Sequence, residues 1–197
     1  YLQFCQLERL SDKISVRYRP ILFAGLLDRW GHKGPAEIPG KRVYTFRQAQ
    51  WLADRDGIPY RMPPNHPFNP LRALRLAIAL GSKSAAIGQI FKAIWVDGHL
   101  PDNPTGWNSI SKAVGVDDAS ALISDQKVKD ELRENGERAI EANVFGVPTA
   151  LLNGALFWGQ DSTDFLLDYI NNPALFDNSE MRRIETTQPS AVRSGGR

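Results

Sequence analysis

Residues 144–161 decide the fold, and they read Val144-Phe145-Gly146-Val147-Pro148-Thr149-Ala150-Leu151-Leu152-Asn153-Gly154-Ala155-Leu156-Phe157-Trp158-Gly159-Gln160-Asp161. Two apolar runs, residues 147–152 and 155–158, predict β-strands. The Asn153-Gly154 pair between them predicts a tight hairpin, because both residues tolerate a positive φ angle. Apolar residues at helical spacing follow over residues 162–170, and Asp161 is expected to cap that helix. The stretch therefore predicts strand, turn, strand and helix, in that order.

Pro148 stands near the start of the first predicted strand. A proline cannot donate a hydrogen bond to a sheet, so the backbone of Val147 is expected to stay unpaired. If the Val147-Pro148 bond is cis, Val147 directs its N–H and C=O outward, where an extended peptide can pair with them. A proline that merely begins an edge strand is an equally good interpretation of this dipeptide.

Composition excludes several classes of protein. The 197 residues suit one domain with an insertion, and the net charge of +2 is too small to indicate nucleic acid as a partner. No apolar run is long enough to span a membrane, so no membrane association is expected. One cysteine, Cys5, excludes an internal disulfide and favours a reducing, cytoplasmic location. Three scattered histidines predict no metal site.

Five stretches in sequence order carry a resemblance to a known family. They are Val16-Arg17-Tyr18-Arg19-Pro20, Pro39-Gly40-Lys41, Pro67-Phe68-Asn69-Pro70-Leu71-Arg72-Ala73, Ala93-Ile94-Trp95-Val96-Asp97-Gly98, and the Phe-Gly-Val-Pro-Thr to Gln-Asp stretch quoted first. Together they resemble the 2-hydroxychromene-2-carboxylate isomerases and their relatives, the kappa-class glutathione transferases. The resemblance covers most of residues 1–171.

The predicted fold is an α/β, thioredoxin-like domain (βαβ…ββα) with a large all-helical insertion. A single domain is expected over residues 1–176, with the insertion at about 60–140 and a flexible tail over 177–197. Residues 13–19 alternate apolar and polar side chains, which predicts a strand, and the Gly- and Pro-rich residues 21–40 predict a loop. A thioredoxin-like domain also needs a strand before the first helix, whereas the sequence begins at Tyr1.

The resemblance implies glutathione as cofactor and assigns residues to its site. The family's catalytic serine is expected just upstream of Tyr1, so the catalytic residue is unknown here. Val147, which Pro148 leaves open, is expected to pair with the cysteinyl unit of glutathione. Asp161 would accept from its γ-glutamyl ammonium, Gln160 would donate or accept, and His32 stands where relatives often carry asparagine. A solvated loop histidine is an equally good interpretation of His32.

The implied substrate is a small aromatic carboxylate. Lys41 and Asn69 would orient it, and Trp95 would stack on its ring. From the residues alone, Asn69 is equally well a helix cap, and a tryptophan at helical spacing more often lies in a core. The reaction implied is the interconversion of 2-hydroxychromene-2-carboxylate and trans-o-hydroxybenzylidenepyruvate by reversible thiolate addition.

Three alternatives remain open. A kappa-type glutathione transferase or peroxidase would share the cofactor site but consume glutathione. A non-catalytic protein that binds glutathione or a thiol peptide would lack the serine. A disulfide oxidoreductase on the same scaffold needs a cysteine pair, and this sequence has one cysteine. Related enzymes are commonly dimers, so a homodimer is expected, although no stretch of sequence identifies its interface.

Overall fold

The structure is a computed structural model that describes residues 1–9 and 14–191. In the described residues ten α-helices surround one small sheet. The helices are α1 Leu2–Glu8, α2 Phe23–Trp30, α3 Pro39–Asp56, α4 Leu71–Ala79, α5 Ser84–Trp95, α6 Pro104–Ala113, α7 Ala119–Ser124, α8 Gln126–Glu141, α9 Thr163–Asn171 and α10 Ser179–Glu185. No helix among these residues is both long enough and apolar enough to cross a membrane.

The sheet is the predicted hairpin. Strands β1, Thr149–Leu152, and β2, Ala155–Trp158, pair antiparallel, with Thr149 opposite Trp158. The turn residues Asn153 and Gly154 have φ angles of 51° and 86°. Positive φ at both positions is what a type I′ turn requires, so the hairpin prediction is confirmed. The first strand begins at Thr149, two residues later than predicted.

One face of this hairpin builds the core that supports the site. Phe157 of β2 is 1% exposed and packs with Leu7 of α1 and with Leu166 and Tyr169 of α9. The apolar side chains of α9 recur three residues apart, which places them on one helix face against the sheet. The hairpin and α9 thereby form the strand–strand–helix half of a thioredoxin-like domain.

A second core lies in the helices between residues 71 and 124. Leu76 of α4 and Ile110 of α6 are fully buried there, with Ile90 of α5 and Ile123 of α7 against them. Helix α8 packs on α4 through a separate cluster around Leu132. These helices fall where the sequence predicts the insertion. The proposed division into domain, insertion and tail stays a prediction.

The predicted strand at residues 13–19 is wrong for the described part, residues 14–19, which carry no strand; Lys13 lies outside the described residues. Of the apolar side chains in this alternation Ile14 and Tyr18 are partly buried, whereas Val16 is exposed. Tyr18 packs on Phe4 of α1 and donates to Glu8 Oε1 at 2.8 Å. A strand needs a neighbour for its ladder. Among the described residues the sheet consists of β1 and β2, so no strand lies beside residues 14–19 to supply that ladder.

The predicted loop at residues 21–40 is also wrong, because it contains α2 and a 3-10 turn at Pro35–Glu37. Phe23, Leu26, Leu27 and Trp30 recur at helical spacing, and that period outweighs the helix-weakening effect of the glycines. Gly31 ends α2 in the left-handed region at φ 61°.

The predicted tail is not wholly irregular, since Ser179–Glu185 form α10, capped by Asn178. Its flexibility stays a prediction, and residues 192–197 lie outside the described part of the chain.

Candidate active site

Val147 and Pro148 lie at the entrance of the hairpin, beside Gly159. The Val147-Pro148 bond is cis, and Gly159 N donates to Pro148 O at 2.9 Å. Among the described residues, the backbone N–H and C=O of Val147 have no hydrogen-bond partner. The Val147 side chain is 38% exposed. An open peptide unit is therefore held next to the segment that carries Gln160 and Asp161.

Gly159 shapes the turn from β2 toward α9. Its φ and ψ of 93° and 158° lie in a region essentially reserved for glycine. Its carbonyl oxygen accepts from Gln3 Nε2 at 3.1 Å and from Ser162 Oγ at 2.8 Å, so α1 and the following turn both hold it. A Cβ added at position 159 would overlap Asp161 Oδ1. Only glycine therefore lets the Asp161 carboxylate lie over this turn.

Asp161 is not the helix cap that the sequence predicts. A 3-10 turn at Gln160–Ser162 precedes α9, whose N-cap is Ser162, and no side chain caps the helix. The glycine turn at 159 tightens the chain into i→i+3 bonds before the helix begins, which moves the cap past Asp161. The exposed Asp161 carboxylate accepts no hydrogen bond from the amides of the described residues, so it is open to a ligand.

A cleft of about 470 Å³ lies between α1, the end of α3 and the beginning of α9. Its volume is in the range of roughly 300–1,000 Å³ that is usual for small-ligand pockets. Gln160 and Asp161 line it, as do residues that sequence reasoning missed: Gln6, Arg9, Arg55, Asp56, Thr163 and Asp164. A groove of about 370 Å³ between α6 and α7 contains none of the predicted site residues.

Hydrogen bonds between side chains hold the cleft together. Thr163 Oγ1 donates to Gln6 Oε1 at 2.9 Å, and Gln6 Nε2 donates to Asp56 Oδ2 at 3.3 Å. Arg9 Nη2 donates to Asp56 O at 2.9 Å. The Arg55 guanidinium, 2.6 Å away, lowers the pKa of the Asp56 carboxyl and keeps it ionised. Gln6 and Thr163 are 157 positions apart, so no local sequence signal predicts their contact.

A cluster of aromatic rings, called the aromatic cluster below, surrounds Trp95. It consists of Phe46 from α3, the loop residues Tyr60, His66 and Phe68, and Trp95 at the end of α5. Trp95 stacks on Tyr60 with ring centroids 6.1 Å apart, and its centroid lies 5.6 Å from that of His66. Trp95 is partly buried against the core of α4 to α7, which agrees with the core interpretation, and its stacking on a substrate ring stays a prediction.

His66 is the titratable member of this cluster, and sequence reasoning missed it. Burial lowers the pKa of its imidazole below the usual value, which favours the neutral ring. Its Nδ1 is buried without a hydrogen-bond partner among the described residues. The signal that could have found it is its place in a proline-rich loop two residues before Phe68.

Asn69 follows Phe68 of the aromatic cluster in sequence and lies just before α4, whose N-cap is Pro70. Its Oδ1 accepts from Leu71 N at 3.0 Å, and its own N–H donates to Asp102 Oδ2 at 2.8 Å. Asn69 Oδ1 therefore binds the first N–H of α4, although the N-cap position itself is Pro70, one residue later than predicted. The role of Asn69 toward a substrate stays a prediction.

His32 and Lys41 are both exposed, and their side chains make no hydrogen bond or ion pair with the described residues. They line neither the cleft nor the aromatic cluster. The structure thus places Val147–Pro148 beside Gln160–Asp161 through Gly159, and it places Asn69 next in sequence to Phe68, whose ring centroid lies 5.9 Å from that of Trp95. His32 and Lys41 lie in neither group.

Comparison with known proteins defines the class. The family model of the DSBA-like thioredoxin domain matches residues 2–171, so the chain belongs to the family of DSBA-like thioredoxin domains. A solved structure of a 2-hydroxychromene-2-carboxylate isomerase superposes with a TM-score of 0.74, at 25% identity and 92% coverage of both chains. The thioredoxin-like fold with its many helices is therefore confirmed.

Relatives by sequence narrow the class further. A 2-hydroxychromene-2-carboxylate isomerase of Pseudomonas sp. (strain C18) is 29% identical over 82% of this chain and 79% of its own length. Glutathione S-transferase kappa 1 of Rattus norvegicus is 24% identical over 75% of this chain and 71% of its own. Since relatives by sequence and by structure are named isomerases, the chain is an enzyme of the isomerase kind.

Proposed function

We propose that the protein is a glutathione-dependent isomerase that interconverts 2-hydroxychromene-2-carboxylate and trans-o-hydroxybenzylidenepyruvate, or a similar intermediate of aromatic degradation. The observation that carries this proposal is the hydrogen bond from Gly159 N to Pro148 O, which places the open Val147 peptide beside Asp161. The likeness to isomerases and to kappa-class glutathione transferases supports it.

The residues present fit glutathione. An extended tripeptide can pair its cysteinyl main chain with the free N–H and C=O of Val147. The Asp161 carboxylate then accepts from the γ-glutamyl ammonium, which is a charge-assisted hydrogen bond. Gln160 lies at the same turn and offers both a donor and an acceptor to the glutamyl carboxylate or amine.

Glutathione, when bound, supplies a thiolate that adds reversibly to the substrate's double bond and leaves unconsumed after rotation about the single bond. The chain's own residues orient the partners. In this proposal the substrate's flat ring stacks on Trp95 within the aromatic cluster, where Tyr60 already stacks on Trp95, and Asn69, which follows Phe68 of the cluster, helps to orient the substrate. Lys41 is proposed to attract the substrate's carboxylate from its exposed position at the start of α3.

A second candidate is a kappa-type glutathione transferase or peroxidase, because the chain also resembles glutathione S-transferase kappa 1. Both enzymes would use the same cofactor site. They differ in the fate of glutathione, which the isomerase returns and the transferase consumes. A non-catalytic binder of glutathione would show affinity without either reaction. The serine predicted upstream of Tyr1 separates the catalysts from the binder, and the codons before Tyr1 report its presence.

Asp161→Asn tests the cofactor site. We expect its glutathione affinity, measured by calorimetry, to fall about 10- to 150-fold, since a hydrogen bond to a charged group contributes roughly 1.5–3 kcal/mol. Asp168→Asn is the matched control, because Asp168 is also exposed and lies seven residues after Asp161, within α9. Equal affinities of the two variants would remove Asp161 from the site.

Three further properties belong to this proposal. The partner is a small molecule rather than nucleic acid, the location is cytoplasmic, and the assembly is a homodimer. Cell fractionation tests the location, and a filter-binding assay with DNA and RNA tests the exclusion of nucleic acid.

A further inference from the structure

His66 is a titratable side chain that the reaction proposed above does not use. Its imidazole packs among three rings of the aromatic cluster, since the ring centroids of Phe46, Trp95 and Phe68 lie 5.4, 5.6 and 5.7 Å from its own. Its Nδ1 is buried and has no hydrogen-bond partner among the described residues. A buried polar atom without a partner is rare in native proteins, and a catalytic role is one of its established reasons.

The surrounding rings favour one form of the imidazole. Phe46 and Phe68 stand at 71° and 73° to the plane of His66, which is an edge-to-face arrangement. The face of an aromatic ring is negative, so it can accept a weak hydrogen bond from a ring N–H. With its hydrogen on Nδ1, a neutral imidazole keeps the free lone pair on Nε2. Because His66 is only partly buried and Nδ1 faces inward, Nε2 is the nitrogen that a ligand can reach.

The aromatic cluster and the proposed cofactor site are both tied to the first turn of α1. Tyr1 Oη donates to Pro59 O at 2.9 Å, next to Tyr60 of the cluster. Gln3 Nε2 donates to Gly159 O at 3.1 Å, in the turn that joins Pro148 to Asp161. A group on the cluster therefore acts beside the place where the glutathione thiolate is proposed to react.

The proposed substrate needs a proton moved as well as a double bond rotated. In 2-hydroxychromene-2-carboxylate one carbon carries both the ring oxygen and a hydroxyl group, so the molecule is a cyclic hemiketal. Ring opening breaks the bond from this carbon to the ring oxygen, and the electron pair stays on that oxygen as a phenolate. The hydroxyl oxygen gives up its proton as it becomes the ketone carbonyl. The phenolate gains one proton, so nothing is oxidised or reduced.

We propose that His66 is the acid–base catalytic residue of this ring opening, in which Nε2 takes the proton of the hydroxyl group and returns it to the phenolate oxygen. General acid–base catalysis needs a group that is neutral but can accept a proton at the working pH. Burial lowers the pKa of His66, which keeps its imidazole neutral. Among the other members of the cluster Tyr60 alone titrates, and burial raises its pKa, so it stays a protonated phenol. The inference rests on the proposed isomerase function and assigns that function a further residue.

The isomerisation rates of two His66 variants test this role. His66→Phe keeps an aromatic ring in the cluster, and His66→Ala leaves space for a free imidazole. In both variants kcat should fall about 100- to 10,000-fold, while glutathione affinity stays unchanged. Imidazole added to the assay should restore part of the rate of His66→Ala but not that of His66→Phe. A purely structural role predicts instead that His66→Phe keeps its rate and that imidazole restores nothing, and either result overturns the proposal.

His99→Phe is the matched control. His99 is also a partly buried loop histidine, and it lies outside the aromatic cluster and the cleft. We expect this variant to isomerise the substrate at the natural rate. An equal loss of rate in His99→Phe and His66→Phe would overturn the role of His66.

Ligand binding provides a second measurement that needs no turnover. The natural protein should bind trans-o-hydroxybenzylidenepyruvate about 5- to 150-fold more tightly than trans-benzylidenepyruvate, because the analogue without the phenol hydroxyl leaves Nε2 unpaired. His66→Phe should bind both compounds alike, and a preference equal to that of the natural protein would refute the contact. A natural protein without isomerase activity contradicts the proposed function itself. An active natural protein that is matched in rate by His66→Phe overturns only the role of His66.

Discussion

Gly159→Ala perturbs the turn that joins the hairpin to Asp161. The backbone at position 159 has φ 93° and ψ 158°, which a residue with a Cβ adopts only at a cost of about 1–3 kcal/mol. The new methyl group would also overlap Asp161 Oδ1, so the carboxylate must move away. The variant should therefore lose both stability and glutathione affinity.

The expected loss is measurable by calorimetry and urea unfolding. For a chain of this size 1 kcal/mol lowers the melting temperature by about 2–4 °C, so the melting temperature should fall by about 2–12 °C. Glutathione titration of the folded variant at low temperature should show weaker binding, because Asp161 no longer lies over the turn. The two effects share one cause and should appear together.

Gly25→Ala is the matched control for this prediction. Gly25 lies inside α2, and a Cβ there meets nothing within 4 Å. Alanine in a helix interior should stabilise the protein by about 0.5–1 kcal/mol. A Gly159→Ala variant that melts with the natural protein and binds glutathione equally well would refute the account of this turn.

Two further predictions concern the cores. Phe157→Ala should lower the free energy of unfolding, measured in urea, by about 3–5 kcal/mol. The reason is that Phe157 is 1% exposed and its ring centroid lies 5.1 Å from that of Phe165. A loss below about 1 kcal/mol would contradict its place in the core. Burial lowers the native pKa of His66, so the unfolded chain binds more protons in the window just below pH 6.5. The stability that neutral His66 contributes is present above that window and is lost as the pH falls through it. In the variant His66→Phe the melting temperature should fall less as the pH is lowered below 6.5. An unchanged pH dependence of the melting temperature would show that His66 does not take up a proton on unfolding.

The sequence predicts those elements whose signals are local. Asn153 and Gly154 specify the hairpin by themselves, because the turn needs positive φ at two adjacent positions and they supply it. The helical spacing of apolar residues in α2 is also visible in the sequence. The glycines at 25, 31 and 34 nevertheless favour a loop, whereas in the structure Gly31 marks the end of the helix.

Features that depend on distant partners escape sequence reasoning. The alternation at residues 14–19 favours a strand, but a strand also needs a hydrogen-bonded neighbour, which no local pattern can indicate. The cleft depends on Gln6 and Thr163, which meet only in the folded chain. The sequence predicts Asp161 as the cap of α9, which is wrong, because Gly159 tightens the chain into a 3-10 turn at Gln160–Ser162 before the helix begins.

In the proposed reaction glutathione serves this enzyme as a cofactor and returns unchanged. The most direct measurement follows the isomerisation of 2-hydroxychromene-2-carboxylate by the whole encoded protein, with glutathione supplied at a small fraction of the substrate concentration. We predict that the rate requires glutathione and that many equivalents of product form while all the glutathione is recovered. A rate independent of glutathione, or the loss of one glutathione for each product molecule, would contradict the claim.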